Sequence, residues 1–577
     1  MNKKFLRCIS FVLSVGTLLG CAACGDNGGS GGGGGTGGGG GDDSAIEIKI
    51  YAGGSSEYEW IKGSKEEEVY NYIEDVYYDE MGVRLDFKTE FPGQGMKDNI
   101  INGITEGKID VVISHVGGGD GLDDWFLGKP SVLYRDLSAD LEIDITNVAD
   151  NMLWDDGAGL QINALDRTTK LNGEVIGIPS VITPYKFGIL VRKDWMEACG
   201  YTDDPNNTDL TLVDNYVEFE NMAVAMRERY NLNYAVSGAI YEVEKTGLLG
   251  AYGLDAGYYS MTKMQDGNGN NIIDYGGQIN PAYAQVLEVE SRWIDKKVLA
   301  TSPDAIKVVT CETEFCAEST GIFLQNGTIE HLIEVARKCK TQNPEAEFTV
   351  LSGLTKDADS TAKGSMRNSV GTFMASITSN TPDYKELLQF INWMYSSEET
   401  YNMCRYGEEG VHWIDNGDGT YSYPANSGFG YHNKPYSGIL TLVENQVISN
   451  LQYADYTADE KAWIETVRNR ENYIVNDTVD YLLYLSDKTL MNTHFAQRKA
   501  MSTFTQNVWD DAFAHVYKET VEGEEVVQTD KSRPSELFTV AQYGWYQENI
   551  VNSYRTNANA YSRALYDLYA ALKAKNA

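Results

Sequence analysis

The chain has 577 residues and carries 84 acidic against 47 basic side chains, a formal net charge of −37. Apolar residues make up 42% and charged residues 23%, which excludes disorder throughout, and the length corresponds to about two or three domains. The acidic excess argues against nucleic-acid partners and against a basic membrane-binding patch, because both need surplus lysine and arginine. The 38 tyrosines and 10 tryptophans remain as a compositional signal, since these side chains fill cores and also stack on flat ligand faces.

The first 20 residues are predicted to be an export signal. Basic residues precede an apolar run over 9–19, which is too short for a permanent membrane span. The run ends at Cys21 in a sequence that resembles a bacterial lipobox, and this predicts lipidation of Cys21. Lipidation of Cys24 is one alternative, and a signal peptide that ends near a cysteine by chance is another.

A glycine-rich segment follows the predicted lipidation site. Residues 25–41 contain 13 of the 57 glycines and almost no side chains that could pack. About 20 residues of such sequence span roughly 25 Å as a flexible coil. We therefore assign 21–44 to a lipidated cysteine and a tether that holds the folded body away from a surface.

The folded body begins with alternating strands and helices. Residues 45–51 alternate apolar and polar side chains, and Ser64 opens a capping box for a helix that ends at Gly82. A strand over 83–87, a helix over 96–104 and a continuous apolar strand over 109–113 complete the series. The arrangement β-α-β-α-β predicts an open, doubly wound sheet.

Further elements are predicted along the rest of the chain, with no repeat of 20–50 residues. The predicted strands are a hairpin over 171–179, a strand over 187–192, a strand-like piece over 315–324 and a strand over 369–378. The predicted helices begin at Lys193, lie near 214–230 and 281–296, and cover 329–339 and 542–573. A further helix begins after Asp383, and its predicted buried face consists of Leu387, Leu388, Ile391, Met394 and Tyr395.

Several segments together resemble the extracellular solute-binding lipoproteins of bacterial ABC importers, particularly the large sugar-binding group (family 1 type) of Gram-positive bacteria. Besides the lipobox and tether, the matching segments are Gly107–Val111, Asn172–Pro179, Leu190–Trp195, Phe390–Glu399 and Tyr406–Trp413. Each motif is weak alone, and their order and spacing over most of 21–577 carry the resemblance.

The resemblance implies an α/β protein with a two-lobed, periplasmic-binding-protein-like fold of type II, hinged by crossover strands. Lobe 1 would hold 45–178 plus 366–430, and lobe 2 would hold 180–362 plus 435–577. The chain would cross between the lobes near Pro179, near 360–368 and near 425–440. Ligands in open α/β sheets bind beyond the carboxyl ends of the strands, which independently favours a site in the cleft.

Polar and aromatic residues after two predicted strands are candidate ligand-binding groups. Glu57, Tyr58 and Trp60 follow the first strand, and His115 and Asp120 follow the third at its carboxyl end. Each has a structural alternative, since Glu57 also suits a solvent-facing loop and the glycines around Asp120 suit a turn.

The resemblance adds further candidates for the cleft. They are Tyr185 after the first crossing, Gln325 and Asn326 at the end of an apolar strand, Trp413 in the Tyr406–Trp413 motif, and Trp545, which would offer its indole to a sugar face. Packing in the hinge or the core is the alternative reading for the aromatic residues.

The sequence predicts neither a catalytic group nor a metal site nor a cofactor. Residues 266–274 resemble part of a calcium loop but lack glycine at the sixth place and glutamate at the twelfth, so a turn is favoured. The six histidines have no metal-binding spacing. Cys311, Cys316 and Cys339 could form a disulfide in an exported protein or remain free thiols.

These observations together predict a non-enzymatic, monomeric binding protein, anchored by lipid to the extracellular face of the cell membrane. It would capture a carbohydrate, in particular an oligosaccharide, and deliver it to the permease subunits of an ABC transporter. Two alternatives stay open, which are a surface glycoside hydrolase and the same fold with a peptide or other small solute as ligand.

Overall fold

The computed structural model describes most of the chain between Ala45 and Val475. The described residues are 45–52, 64–90, 96–115, 133–157, 159–169, 173–238, 244–254, 261–265, 270–275, 283–299, 308–325, 327–366, 371, 373–430, 434–475, 515–521 and 524–530, with Asp567 and Ala570. The predicted export signal, Cys21 with its tether, and all but two residues of the predicted C-terminal helices lie outside these ranges. None of the helices described here is both long and apolar enough to cross a membrane.

The strands are short and fall into several sheets. They are β1 (Ile46–Ala52), β2 (Leu85–Glu90), β3 (Val111–His115), β4 (Leu153–Asp155), β5 (Gln161–Asn163), β6 (Ile178–Pro179), β7 (Ile189–Arg192), β8 (Tyr201–Thr202), β9 (Thr211–Leu212), β10 (Val236–Ser237), β11 (Met261–Gln265), β12 (Asn271–Tyr275), β13 (Ile322–Phe323), β14 (Phe348–Leu351), β15 (Gly364–Met366), β16 (Phe373–Ile377), β17 (Ile414–Asp415), β18 (Thr420–Ser422), β19 (Gln452–Tyr453), β20 (Tyr473–Val475), β21 (His515–Val521) and β22 (Glu524–Asp530).

The α-helices pack around these sheets. They are α1 (Lys65–Met81), α2 (Met96–Thr105), α3 (Asp140–Ile143), α4 (Thr146–Asp150), α5 (Lys193–Ala198), α6 (Tyr216–Arg229), α7 (Leu249–Ala251), α8 (Tyr283–Asp295), α9 (Val308–Cys316), α10 (Ile329–Gln342), α11 (Tyr384–Met394), α12 (Glu398–Tyr406) and α13 (Ala458–Arg468).

The first sheet has the strand order β2-β1-β3-β16-β6. Strand β1 pairs in parallel with both β2 and β3, which confirms the predicted β-α-β-α-β start of a doubly wound sheet. Strand β16 pairs antiparallel with β3 on one side and with β6 on the other. A strand from late in the chain therefore lies between two strands from its first third.

The predicted capping residues of α1 and the predicted apolar face of α11 are found in the structure. The hydroxyl of Ser64 accepts the N–H of Glu67 at 3.3 Å at the start of α1, and Gly82 ends the helix in the left-handed conformation with a φ of 72°. Helix α11 buries the predicted apolar face against the first sheet, so that the ring of its Phe390 lies 4.7 Å from that of Phe87 in β2.

The second sheet has the strand order β10-β13-β7-β14. Helices α10 and α13 cover one of its faces, where Phe348, Trp463 and Val467 belong to one buried cluster. The segments 180–188, 352–372 and 444–457 connect elements of the first sheet to elements of the second, and we call them the crossing segments.

Two glycines allow close packing at the ends of the first crossing segment. A Cβ atom at Gly177 would lie 2.9 Å from the carbonyl oxygen of Ala375 in β16. A Cβ atom at Gly188 would lie 2.5 Å from the Val350 side chain in β14. Because both contacts are shorter than a carbon atom tolerates, the segment can join the two sheets closely only with glycine at these positions.

The structure shortens one predicted strand. Residues 315–324 were expected to be strand-like, but Phe315 lies in α9 and only Ile322–Phe323 pairs with the second sheet. Cys311 and Phe315 are four residues apart and both buried, so they form the apolar face of a helix. The run of apolar residues in this segment comes from two elements, which the sequence reading joined into one.

Two turns join strands of hairpins. The turn over 416–419 connects β17 to β18, and its Gly417 and Gly419 both have positive φ angles. The segment that resembles a calcium loop connects β11 to β12, whose register runs from Met261 opposite Tyr275 to Gln265 opposite Asn271. Residues 266–269 themselves lie outside the described residues.

A disulfide joins Cys316 at the end of α9 to Cys339 in α10, which resolves one of the alternatives left open by the sequence. Among the cysteines that the structure describes, Cys199, Cys311 and Cys404 are not disulfide-bonded, and the last two are buried. The bond closes a loop with a sequence separation of 23 residues between two helices that pack on the second sheet.

Removing this disulfide is expected to lower the free energy of unfolding by about 3 kcal/mol, because the unfolded chain regains the freedom that a loop of this length restricts. The test is urea unfolding of the Cys316→Ala/Cys339→Ala double variant beside Cys199→Ala, which removes an unbonded thiol. Reductant should destabilise the native protein and Cys199→Ala but leave the double variant unchanged. Equal sensitivity of all three proteins to reductant would contradict the assignment.

Candidate functional site

Two adjoining cavities of about 310 Å³ each lie where the first sheet meets the crossing segments. The first opens at the carboxyl edge of the first sheet, beside Ile113 in β3 and Ser180 after β6. The second continues from it to Thr328 before α10 and to Arg468 in α13. We call the two together the tyrosine cleft. The described residues that line both cavities are Ile182, Arg405, Tyr406, Tyr421, Lys434 and Glu444.

Tyrosines form one wall of this cleft. The ring of Tyr406 lies 4.7 Å from that of Tyr421, and the ring of Tyr421 lies 5.4 Å from that of Tyr453. Trp413 is buried 5.0 Å from Tyr406 and donates its indole N–H to the carbonyl of Gly407 at 2.9 Å. Trp413 thus supports Tyr406 within the cluster, while the tyrosine side chains border the cavity.

The backbone after α12 fixes the position of Tyr406. Gly407 ends the helix with a φ of 90°, and a Cβ atom there would lie only 3.0 Å from Nδ1 of His412. That same Nδ1 accepts the N–H of Glu408 at 3.0 Å. Burial lowers the pKa of His412, so its ring stays neutral and keeps Nδ1 available as an acceptor. His412 therefore has a structural role in the turn.

An ion pair lies in the middle of the cleft. The guanidinium of Arg405 and the carboxylate of Glu444 approach to 3.1 Å, and Arg405 Nε also donates to the hydroxyl of Tyr406 at 3.1 Å. Burial alone would raise the pKa of Glu444, but Arg405 and the amide of Gln446 outweigh it and lower that pKa. Glu444 is therefore an anion at neutral pH.

Hydrogen bonds tie two crossing segments together beside the cleft. The N–H of Val181 donates to the carbonyl of Glu444 at 2.8 Å, and the N–H of Gln446 donates to the carbonyl of Val181 at 2.7 Å. The N–H of Thr183 donates to the side-chain oxygen of Gln446 at 2.8 Å. These bonds make a short two-stranded connection, which is suited to act as a hinge.

Asn445 anchors this connection from inside. Its side chain is fully buried, its Nδ2 donates to the carbonyl of Asn151 at 2.9 Å, and its Oδ1 accepts the N–H of Val447 at 2.9 Å. Its own N–H donates to the hydroxyl of Tyr401 at 2.6 Å. Asn445 thus links a crossing segment to Asn151, which follows α4, and to Tyr401 in α12.

A larger cavity of about 950 Å³ runs along β14 and α13. Among the described residues, its lining comes from the second sheet, the helices on it and the adjoining loops, including Phe348, Trp463 and Lys363. The tyrosine cleft, in contrast, is lined by residues of the first sheet, such as Ile113, and by Glu330 and Arg468 of the helices that pack on the second sheet. A ligand that draws two halves of a protein together must contact both halves, so the smaller tyrosine cleft is the better candidate site.

Three further predicted ligand-binding residues lie within the described part of the chain. Tyr185 is buried, its ring lies 5.2 Å from that of Tyr473, and its hydroxyl donates to Asp156 at 3.4 Å. Gln325 is buried just after β13. His115 is the last residue of β3, opposite Phe373.

The other predicted ligand-binding residues lie outside the described ranges, and they stay predictions. They are Glu57, Tyr58, Trp60, Asp120, Asn326 and Trp545. Within the described ranges, no group of three or more histidine, cysteine, aspartate or glutamate side chains comes together as a metal site.

The main cleft residues were absent from the sequence-based candidates. Tyr406 begins a segment that was singled out, but Tyr421 and Tyr453 come from strands whose neighbours only the fold reveals. The alternation of Tyr421 and Tyr423 after a hairpin turn was the available signal, because alternate residues of a strand share one face.

Comparison with known proteins relates this geometry to a known fold. No family model and no curated protein matches the sequence. Among solved structures, an HMO-binding, ABC-transporter-associated solute-binding protein from Bifidobacterium longum infantis matches with a TM-score of 0.59 at 14% identity, over 91% of this chain and 99% of that one. An extracellular solute-binding protein from Bifidobacterium longum subsp. infantis has a TM-score of 0.59 at 13% identity, over 92% and 99%. The alginate-binding protein AlgQ2 has a TM-score of 0.53 at 13% identity, over 81% and 94%.

The chain has the fold of a two-lobed solute-binding protein. The mixed α/β architecture, with two sheets joined by crossing segments, matches the predicted periplasmic-binding-protein-like fold of type II. In this fold the space between the sheets is a cleft, and the tyrosine cleft lies there.

Replacing Asn445 with alanine is expected to lower the free energy of unfolding by about 2 kcal/mol, because its fully buried side chain makes hydrogen bonds to the carbonyl of Asn151 and to the N–H of Val447, each worth about 1 kcal/mol. Thermal or urea unfolding measures this change. Asn450→Ala is the matched control, since Asn450 is exposed five residues further along the same crossing segment. Equal stability of the two variants would contradict an anchoring role for Asn445.

Proposed function

We propose that this protein is the substrate-binding component of an ABC importer, which captures an oligosaccharide in the tyrosine cleft and delivers it to membrane permease subunits. The observation that carries the proposal is a cleft lined by tyrosines, by residues of the first sheet and by residues of the helices on the second sheet, in a chain with a solute-binding fold. Two of the similar structures are an HMO-binding protein and an alginate-binding protein, which also favours a carbohydrate.

The cleft chemistry suits a sugar. The aromatic side chains of Tyr406 and Tyr421 border both cavities and would give apolar contacts to the C–H groups of a pyranose ring. The rest of the lining is rich in hydroxyl, amide and charged groups, which would bind the hydroxyls around the ring. A peptide or another small solute in the same fold would have less use for several adjacent tyrosines.

Binding would work by a shift between open and closed arrangements of the two lobes. A ligand that contacts Tyr406 on one side and Glu330 or Arg468 on the other has more contacts when the lobes are closed, so it stabilises that state by its differential affinity. The paired crossing segments at Val181 and Gln446 would carry the bending. Release would require the transporter to favour the open state.

We propose a two-lobe division close to the one predicted, with a third crossing over 444–457. Tyr436 and Val443 support this placement because they belong to the core of the first sheet, whereas Trp463 belongs to the core of the second. Lobe 1 therefore extends past residue 430 to about Val443.

We also propose export and a lipid anchor at Cys21 on the extracellular face of the cell membrane, with the protein acting as a monomer. The apolar run over 9–19 and the glycine-rich tether support this location. The disulfide between Cys316 and Cys339 agrees with it, because such bonds persist in oxidising compartments outside the cytoplasm.

The described cleft favours binding over glycoside hydrolysis. A hydrolase needs a carboxylic acid with a raised pKa, whereas Arg405 and Gln446 lower the pKa of Glu444. Glu330, the other described carboxylate of the cleft, lies 3.5 Å from the guanidinium of Arg468. Both carboxylates are thus held by cations and are poorly placed to donate a proton.

A panel of mono- and oligosaccharides tests the proposal by thermal shift and calorimetry. At a hundredfold excess over Kd, a bound glycan should add about 2.7 kcal/mol to the free energy of unfolding and leave the reaction mixture chemically unchanged. Stabilisation by peptides alone would favour the same fold with another solute. Hydrolysis of a bound glycan, abolished by one carboxylate substitution, would establish the enzyme alternative instead.

Tyr406→Ala is expected to weaken binding of the preferred glycan about tenfold or more, because a stacking face of the cleft is lost. Tyr406→Phe keeps the ring and should retain most of the affinity. Tyr78→Ala is the matched control, since Tyr78 is a half-buried tyrosine of α1 that contacts Arg84 outside the cleft. Calorimetric Kd values decide the comparison, and equal Kd values for Tyr406→Ala and Tyr78→Ala would place the sugar elsewhere.

A further inference from the structure

The tyrosine cleft has a charge opposite in sign to that of the whole protein. Acidic residues outnumber basic ones 84 to 47 in the chain, yet the described lining of the cleft holds four basic and two acidic residues. The basic ones are Lys186, Arg405, Lys434 and Arg468, and the acidic ones are Glu330 and Glu444. A cationic site in so acidic a molecule indicates a ligand that carries negative charge.

Two of the cleft cations already have carboxylate partners. Arg405 lies 3.1 Å from Glu444, and Arg468 lies 3.5 Å from Glu330. These contacts use both acidic residues of the described lining. The net positive charge of the cleft therefore rests with its two lysines.

Lys186 is the lysine whose ammonium group has no ion-pair partner among the residues that the structure describes. It borders the second cavity, together with Glu330 and Glu444. Burial lowers the pKa of this ammonium group, and the attraction of the two carboxylates only partly offsets that effect. The ammonium group is half-buried and lies 5.7 Å from the centroid of the Phe187 ring, and no carboxylate of the described residues forms an ion pair with it. An anionic group of a ligand in the cleft would therefore be a favourable partner for it.

The backbone around Lys186 is firmly held. Its carbonyl accepts the N–H of Ile329 at the start of α10 at 2.9 Å. The carbonyl of the next residue, Phe187, accepts a hydrogen bond from the hydroxyl of Tyr473 at 3.1 Å. These contacts hold the backbone of Lys186 in place beside the second cavity.

We propose that the oligosaccharide bound by the tyrosine cleft carries an anionic substituent, a carboxylate or a sulfate, and that Lys186 binds it directly. This inference rests on the proposed function and names the class of glycan. A charge-assisted hydrogen bond from Lys186 to the anion would form in the closed cleft, where water is excluded. A neutral glycan of the same shape would leave the ammonium group without a partner on closure and bind more weakly.

The experiment compares the binding of matched glycans to the full-length protein by isothermal titration calorimetry. Each pair consists of a neutral oligosaccharide and the same oligosaccharide with one uronate, one sialate or one sulfate group. We expect the preferred acidic member to bind about tenfold more tightly or better than its neutral counterpart, with a gain that falls as salt rises. The carboxylate and sulfate arms identify which anion the site accepts.

Lys186→Met tests the role of the lysine, because it keeps the length of the side chain and removes the charge. It should abolish the preference for the acidic member, because the Kd of the acidic member rises and the neutral member no longer leaves an ammonium group without a partner on closure. Lys186→Arg should retain a preference, and Lys461→Met, an exposed lysine of α13 outside the cleft, should behave as the native protein. Thermal unfolding without ligand verifies that each variant is folded.

The outcomes separate this inference from the proposed function. An acidic preference that disappears in Lys186→Met supports both. Equal binding of neutral and acidic members, or a preference that survives in Lys186→Met, overturns the inference and leaves the proposed function intact. Failure of every glycan, neutral and acidic, to bind the native protein would overturn the proposed function and this inference with it.

Discussion

The hydrogen bonds between Val181 and the segment around Asn445 are the constraint on which the rest of the structure depends. They bring two distant parts of the chain side by side between the sheets, at the carboxyl edge of the first one. Tyr406, the end of α12, and Glu330, in the first turn of α10, then border a common cavity. The cleft thus depends on how the crossing segments pair, because its side chains come from elements such as α10 and α12 that are separate in the sequence.

Local signals made much of the fold predictable from the sequence. Ser64 and Gly82 define α1 because capping chemistry acts over a few residues, and the alternation in 46–52 defines β1 for the same reason. Phe315 shows the limit of predicting secondary structure from local sequence. A buried run of apolar residues suits a helix or a strand, and the choice depends on packing against α10, which lies further along the chain.

The candidate site was far less predictable. Tyr406 and Trp413 lie in a segment that stood out, but the local sequence gives no sign that Trp413 is buried behind Tyr406. Lys186 looks like any surface lysine until the crossing segments surround it. Both cases depend on tertiary contacts, and these arise from pairings such as that of Val181 with Asn445, which no short-range pattern encodes.

The position of β16 has a consequence for how the protein acquires its structure. Its partners β3 and β6 are made early in synthesis, yet Phe373 must be available before it can pair with His115. The first sheet therefore cannot be completed until well over half of the chain has been made, and folding waits on long-range pairing. A chain whose first sheet is completed late remains suitable for threading through a narrow channel, which is compatible with the export proposed for this protein.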